Sequence, residues 1–290
     1  MQLQAAHEAF QVQLVADGRS EHTRRQYRRH VAGLIAWLTR TDRPTTANAI
    51  TPQVVAEFFA SDDAKTSCRG GPKKATSANA QRTSLRCFLR WLHESGTTAT
   101  NAGRLLRRAR CAPPPPKALH ADEQQRLREV LAAATGTETD RDRVLVELLL
   151  GTGIRIGSAI GLDIEDIDLG HGELTLRKSK NDRPATAVLP KGTAEMLRVF
   201  VSDRTAGPLF LAGGRRLSMR HAQRRIARWL TAAGIRGRSA HALRHTFATR
   251  IYSTTGDLQV TQAALGHASI ASTVIYARLD RARLRAAVGA

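Results

Sequence analysis

Apolar residues recur at helical spacing along most of this chain. After Ser20-Glu21-His22-Thr23, Tyr27, Val31, Leu34, Ile35 and Leu38 fall three and four residues apart, which predicts an amphipathic helix ending near Leu38. Its other face carries Arg24, Arg25, Arg28 and Arg29. A second helix is expected over about 51–60. A third is expected over 77–93, with Leu85, Phe88, Leu89 and Leu92 inward and Arg82, Arg86 and Arg90 repeating every four residues. Residues 63–75 are polar and rich in Gly and Lys, so they read as a loop. The opening stretch, residues 1–10, carries Glu8 and reads neither as a signal peptide nor as an apolar core segment.

The prolines of Cys111-Ala112-Pro113-Pro114-Pro115-Pro116-Lys117 cannot continue a helix and favour an extended connector. They divide the chain into a first domain, 1–112, a Pro-rich linker, 113–118, and a second domain, 119–290. Beyond the linker, helices are expected from His120-Ala121-Asp122-Glu123 and over 140–150. Residues 173–177 and 185–189 read as two short strands around a polar turn. Helices follow at about 191–202, 217–233, 240–252, 257–265 and 269–276, then a short tail helix. The class is mainly α with a small antiparallel β-sheet in the second domain, and the chain has no internal repeat.

Charge narrows the partners. The chain has 45 Lys and Arg against 25 Asp and Glu, a net charge of +20 and a sequence pI of about 11.3. Residues 1–112 and the remainder each carry a net +10, so both domains suit a polyanion such as duplex DNA. No apolar run approaches the roughly 18 residues that span a bilayer, so no membrane partner is expected. Cys68, Cys87 and Cys111 form no CxxC pair and read as reduced thiols of a cytoplasmic protein. No cluster has zinc-ligand spacing, and no carboxylate cluster suits a two-metal nuclease. Neither metal nor cofactor is expected.

The chemistry lies in the second domain. Gly151-Thr152-Gly153 ends a predicted helix, and Arg155 follows on a turn that glycine permits. His241 and Arg244, three apart, share a helix face. Leu265-Gly266-His267 closes the next helix, and Tyr276 comes nine residues after His267. Two arginines and two histidines can neutralise a phosphodiester and stabilise its transition state. A tyrosine hydroxyl can attack phosphorus covalently. Lys180 or Lys178, on the turn between the strands, can protonate the leaving oxygen.

The order Arg, Lys, His-x-x-Arg, Leu-Gly-His, Tyr resembles the tyrosine recombinase (phage integrase) family, Xer-type enzymes included. Gly151-Thr152-Gly153-Ile154-Arg155 looks like its first arginine box. The run from His241 to Thr249 looks like its second, and Leu265-Gly266-His267 with Tyr276 like its last. The likeness is strong over 118–280 and weaker over about 20–110. It implies a helical core-binding, SAM-like domain and a catalytic domain forming a two-domain clamp on double-stranded DNA. No additional arm-binding domain is expected.

The resemblance implies site-specific cleavage and rejoining through a 3′-phosphotyrosyl link formed by Tyr276. Arg155, Arg244 and His267 would hold the phosphate oxygens, His241 would assist as acid or base, and Lys180, preferred over Lys178, would protonate the 5′-oxygen. The alternatives are a type IB topoisomerase-like relaxing enzyme and a non-catalytic DNA-binding regulator. Ser158 stands where the family usually has an acidic residue, and Asp163 or Glu165 are the candidates to compensate. DNA contacts are expected from Arg24, Arg28, Lys73, Lys74, Arg82, Arg86 and Arg90, and from the stripe Arg220, Arg224 and Arg228. The resemblance implies that the C-terminal tail docks on a neighbouring subunit of a synaptic homo-tetramer; folding back on its own domain is the alternative. The free chain is expected to be a monomer or weak oligomer, associated with the nucleoid when bound to DNA.

Overall fold

The chain's structure is a computed structural model that describes residues 1–68, 70–109, 111, 116–177, 185–266 and 273–277. It divides into two compact units, Met1–Ala112 and Pro113–Ala290. Among the described residues, no helix is long and apolar enough to cross a membrane.

The first unit is helical: α1 (Leu3–Ala16), α2 (Glu21–Arg40), α3 (Pro52–Ala60), the single turn α4 (Asp62–Lys65) and α5 (Ala75–Glu94). Local chemistry sets the starts. The Ser20 hydroxyl accepts from the Thr23 N–H at 3.3 Å, and the Thr51 hydroxyl from the Val54 N–H at 3.3 Å with Pro52 in the first turn. Helix α1 corrects the reading of the opening stretch. Leu3, Ala6, Phe10 and Leu14 are all buried, and their spacing of three, four and four puts them on one face. The glutamines and alanines between them dilute the signal. Phe10 packs against Phe88 and Trp91, with ring centroids 5.3 and 5.4 Å away. Burying such a ring contributes about 1.5–3 kcal/mol. The turn α4 is a second correction, since it lies inside the expected loop.

His30, on α2, ties α2 to α5 through a 2.8 Å hydrogen bond between its Nδ1 and the Ser84 hydroxyl. Burial, then the charges of Arg29 and Lys73, lower its pKa from 6.5 to about 4. Below pH 6.5 the unfolded chain therefore takes up a proton that the folded unit refuses. Stability is expected to fall as pH drops from 6.5 to about 4 and to stop responding to this group below that. Denaturation midpoints of His30→Gln should lack this component, and identical pH profiles for variant and parent would rule it out.

The second unit opens with α6 (Ala121–Ala133), α7 (Thr137–Thr152) and α8 (Ile156–Gly161). A small sheet follows: β1 (Ile167–Asp168), β2 (Glu173–Leu176) and β3 (Ala185–Val188), in order β1-β2-β3 and antiparallel throughout. Leu174 pairs with Ala187, and both are buried beneath the sheet. Then come α9 (Lys191–Val201), the two-stranded β4 (Leu211–Ala212) and β5 (Arg215–Arg216), α10 (Met219–Ala232), α11 (Ala240–Thr255), α12 (Leu258–Leu265) and α13 (Val274–Ala277). The expected pair of strands thus gains a third, and α8 and the β4–β5 ribbon are additions. Segments of two to six residues are too short to show a period. Helix α11 runs three residues past its expected end and stops at Gly256, with φ of 72°. Residues 269–272 of the expected last helix, and the tail helix, lie outside the described residues.

The core of this unit is built on α7, where Val144, Leu145, Val146, Leu148, Leu149 and Leu150 are all buried. A helix whose C-terminal half is this apolar must be covered on several sides, and α6, α9, α10 and α11 pack around it. Its C-terminal end is the turn that carries Arg155.

Candidate active site

The site begins where α7 stops. Gly153 ends the helix with φ of 63°, and its N–H donates to the Leu149 carbonyl at 3.0 Å. A β-carbon here would lie 2.1 Å from the Phe247 ring of α11. Glycine is therefore required twice, by conformation and by close approach. Gly153→Ala is expected to destabilise this unit by about 2 kcal/mol or more, combining left-handed strain with overpacking. A thermal midpoint equal to the parent's would contradict this contact.

Arg155 follows as the residue before α8 and is half-buried. Arg244, on α11, is buried. Its guanidinium donates from Nη1 to the Gly153 carbonyl at 2.6 Å and from Nη2 to the Leu265 carbonyl at 2.7 Å. One side chain thus ties together the Arg155 turn, helix α11 and the end of α12, immediately before Gly266 and His267. Burial, then the neighbouring Arg155 charge, lowers the Arg244 pKa to about 10, with Tyr276 opposing. The group remains a cation at neutral pH.

Arg155, Ser158, Gln223, Arg238, His241 and Arg244 are among the residues lining one cavity of about 890 Å³. Burial lowers the His241 pKa, and the Arg244 and Arg155 charges lower it further, so its imidazole is held neutral. Tyr276 is 3% exposed and packs with Phe247, Ala248 and Leu265. It is not part of the cavity wall. Burial raises its pKa, and the Arg244 charge works in the opposite sense. Its hydroxyl lies 2.9 Å from Nδ1 of His245. The His245 ring in turn meets the His241 ring edge to face, with centroids 4.5 Å apart.

Of the six expected catalytic residues, Arg155, His241 and Arg244 share the cavity, and Tyr276 lies beside Arg244 and His245. Lys180, its alternative Lys178, and His267 lie outside the described residues. The root of the lysine turn is described. Arg177 joins Asp166 at 2.5 Å and Asp163 at 2.9 Å, which pins the end of β2. Neither candidate to compensate for Ser158 pairs with Arg155. Asp163 also pairs with Arg216, and Glu165 accepts the Gly207 N–H at 3.0 Å. Among the described residues no carboxylate pairs with Arg155.

Two site residues were missed from the sequence. His245 directly follows Arg244 inside the recognised motif, and only the approach of α13 reveals its contact. Arg238 joins the cavity wall, and its Nε is buried without a hydrogen-bond partner.

On α10, Arg220, Arg224 and Arg228 are exposed, while Ala222, Ile226, Trp229 and Leu230 are buried. In the first unit, Arg28, Lys74 and Arg86 are exposed, and Arg24 is half-buried. Other expected contacts have intramolecular partners. Lys73 donates to Gln81 at 2.7 Å, Arg82 lies over the Phe59 ring at 5.1 Å, and Arg90 pairs with Glu94 at 3.6 Å. The exposed Arg90–Glu94 pair is weak enough for a phosphate to replace.

The model of the phage integrase family matches residues 117–283, and that of the phage integrase N-terminal SAM-like domain matches residues 8–96. Tyrosine recombinase XerC of Mycobacterium tuberculosis is 34% identical over 284 residues, covering 93% of this chain and 92% of the relative. The XerH site-specific recombinase bound to its difH substrate superposes with a TM-score of 0.71 at 24% identity, covering 91% of this chain and 78% of that one. A lambda integrase dimer bound to a COC′ core site gives 0.72 at 21% identity, covering 93% and 96%. At these identities the solved structures establish the fold.

Proposed function

The chain belongs to the phage integrase family of tyrosine recombinases, and from that premise we propose how its residues carry the reaction. The protein is a site-specific DNA recombinase, an enzyme that cuts DNA strands and rejoins them to new partners. Its substrate in this reading is double-stranded DNA. Tyr276 attacks the scissile phosphate and forms a 3′-phosphotyrosyl link, freeing a 5′-hydroxyl. Arg155 and Arg244 hold the nonbridging oxygens and stabilise the charge that builds in the transition state. His267 joins them, and Lys180 protonates the 5′-oxygen. His241, neutral and on the cavity wall, donates or accepts a proton at the phosphate. The link conserves the phosphodiester bond energy, so rejoining needs no ATP. Residues 1–112 act as the core-binding domain, residues 113–118 as the linker, and residues 119–290 as the catalytic domain.

The observation that carries this reading is the Arg155–His241–Arg244 cavity, with Tyr276 packed beside Arg244. A nicked suicide substrate, incubated with the protein in EDTA, is expected to give a detergent-resistant protein–DNA adduct. Absence of an adduct on DNA that the protein binds would defeat it.

Lambda integrase has been solved as a tetramer bound to a Holliday junction, and the working assembly proposed here is likewise a homo-tetramer on DNA. Its place of action is the cytoplasm, on the nucleoid. The exposed arginines of α10 are proposed to grip backbone phosphates. Arg220→Ala, Arg224→Ala and Arg228→Ala should each reduce the slope of log affinity against log salt by about 1. Titrations at several salt concentrations test this, and unchanged slopes would remove α10 from the interface.

A further inference from the structure

We propose that His245 is the base that takes the phenolic proton of Tyr276 during strand cleavage. The inference rests on Tyr276 being the nucleophile and adds the acceptor which that role requires.

Successive residues on α11 point about 100° apart. Arg244 thereby reaches the Gly153 and Leu265 carbonyls with two of its five N–H groups, while the next residue, His245, faces α13. The Tyr276 oxygen lies 2.9 Å from Nδ1, inside the range for direct proton transfer. Tyr276 is 3% exposed among Phe247, Ala248 and Leu265, so bulk water is poorly placed to accept the proton. Burial raises the pKa of the hydroxyl above its ordinary value, and a phenol attacks phosphorus poorly until its proton leaves. His241 lines the cavity where a phosphate would sit and contacts His245 ring to ring. The two histidines therefore divide the work: His241 faces the phosphate and His245 faces the nucleophile.

The step balances. The tyrosine O–H bond breaks and Nδ1–H forms as the tyrosine oxygen bonds to phosphorus. The bond from phosphorus to the 5′-oxygen breaks, and that oxygen leaves with the electron pair and takes a proton from the general acid on its side. In rejoining, the 5′-hydroxyl attacks, its proton returns to that acid, and the His245 imidazolium gives its proton back to the departing tyrosine oxygen. No proton is gained or lost over the cycle.

The test is the single-turnover rate of adduct formation by the full chain on a nicked substrate, with DNA affinity and thermal midpoint measured alongside. His245→Ala and His245→Asn are expected to slow it by about 10² to 10⁴, the usual contribution of a general base, with affinity unchanged. The Asn amide reaches the position of Nδ1 and can keep the hydrogen bond to Tyr276, but it cannot take up the proton. It thus separates packing from proton transfer even where Ala disturbs the fold. Parental rates in a folded, DNA-binding His245→Asn would overturn the proposal. Faster cleavage in either variant would also overturn it, because it would mean that His245 restrains Tyr276. Failure of the parent chain to form an adduct, or an adduct with Tyr276→Phe, would instead overturn the assignment of the nucleophile.

Discussion

Tyr276→Phe is expected to abolish covalent capture of nicked DNA, lowering the cleavage rate by about 10⁴ or more, as removal of a nucleophile does in other enzymes. The magnitude follows from the chemistry, since the phenylalanine ring has no oxygen with which to form the phosphoester. The change removes one oxygen from a ring already packed with Phe247, Ala248 and Leu265. Its cost in stability should be limited to the lost hydrogen bond with His245, about 0.5–1.5 kcal/mol. DNA binding should persist, because the arginines are untouched. The measurement is adduct yield on a detergent gel beside a binding isotherm. Adduct at the parental level would move the nucleophile to Tyr27 or Tyr252, the chain's other tyrosines.

The second large effect falls on stability. Asp142, on α7, is 1% exposed. Its Oδ1 accepts from Arg141 Nε at 3.1 Å and Nη2 at 2.8 Å. Its Oδ2 accepts from Arg225 Nε at 2.5 Å and Trp229 Nε1 at 2.8 Å. Both Arg225 and Trp229 belong to α10, so this carboxylate locks the arginine-bearing helix onto α7, the helix that ends just before the Arg155 turn. Asp142→Asn keeps the shape but leaves two largely buried guanidinium groups short of a counter-charge. Breaking a buried pair this way costs about 3–5 kcal/mol. For a unit of this size the thermal midpoint should drop on the order of 10 °C. Calorimetry would report it, and a drop of only one or two degrees would mean that Glu138, 3.2 Å from Arg225, already balances the charge. Cleavage should weaken in parallel, because α10 and Arg155 share the wall of one cavity.

The readable parts of the chain were those with long periods or paired signals. Helices α2, α5 and α10 show apolar stripes over 14 to 20 residues, long enough for the pattern to stand above noise. Their arginine faces could be located for the same reason. Helix α1 was not read because glutamines and alanines separate its four core residues. Elements of two residues, such as β1, β4 and β5, have no pattern to read; they exist because antiparallel partners complete their hydrogen bonds.

Motif order by itself determined the family and the reaction, and it put forward Arg155, His241, Arg244 and Tyr276 as the candidates to carry it. Spacing such as His-x-x-Arg is a property of one helix, and chain order needs no coordinates. What only the tertiary structure decided is which groups meet across elements. Arg244 bonds the carbonyls of Gly153 and Leu265, 91 and 21 residues away. His245 meets Tyr276 across 31 residues. Asp163 pairs with Arg177 and Arg216, and Glu165 accepts the Gly207 N–H, while neither pairs with Arg155. Such contacts depend on how helices pack, and distances set by packing leave no period in the sequence.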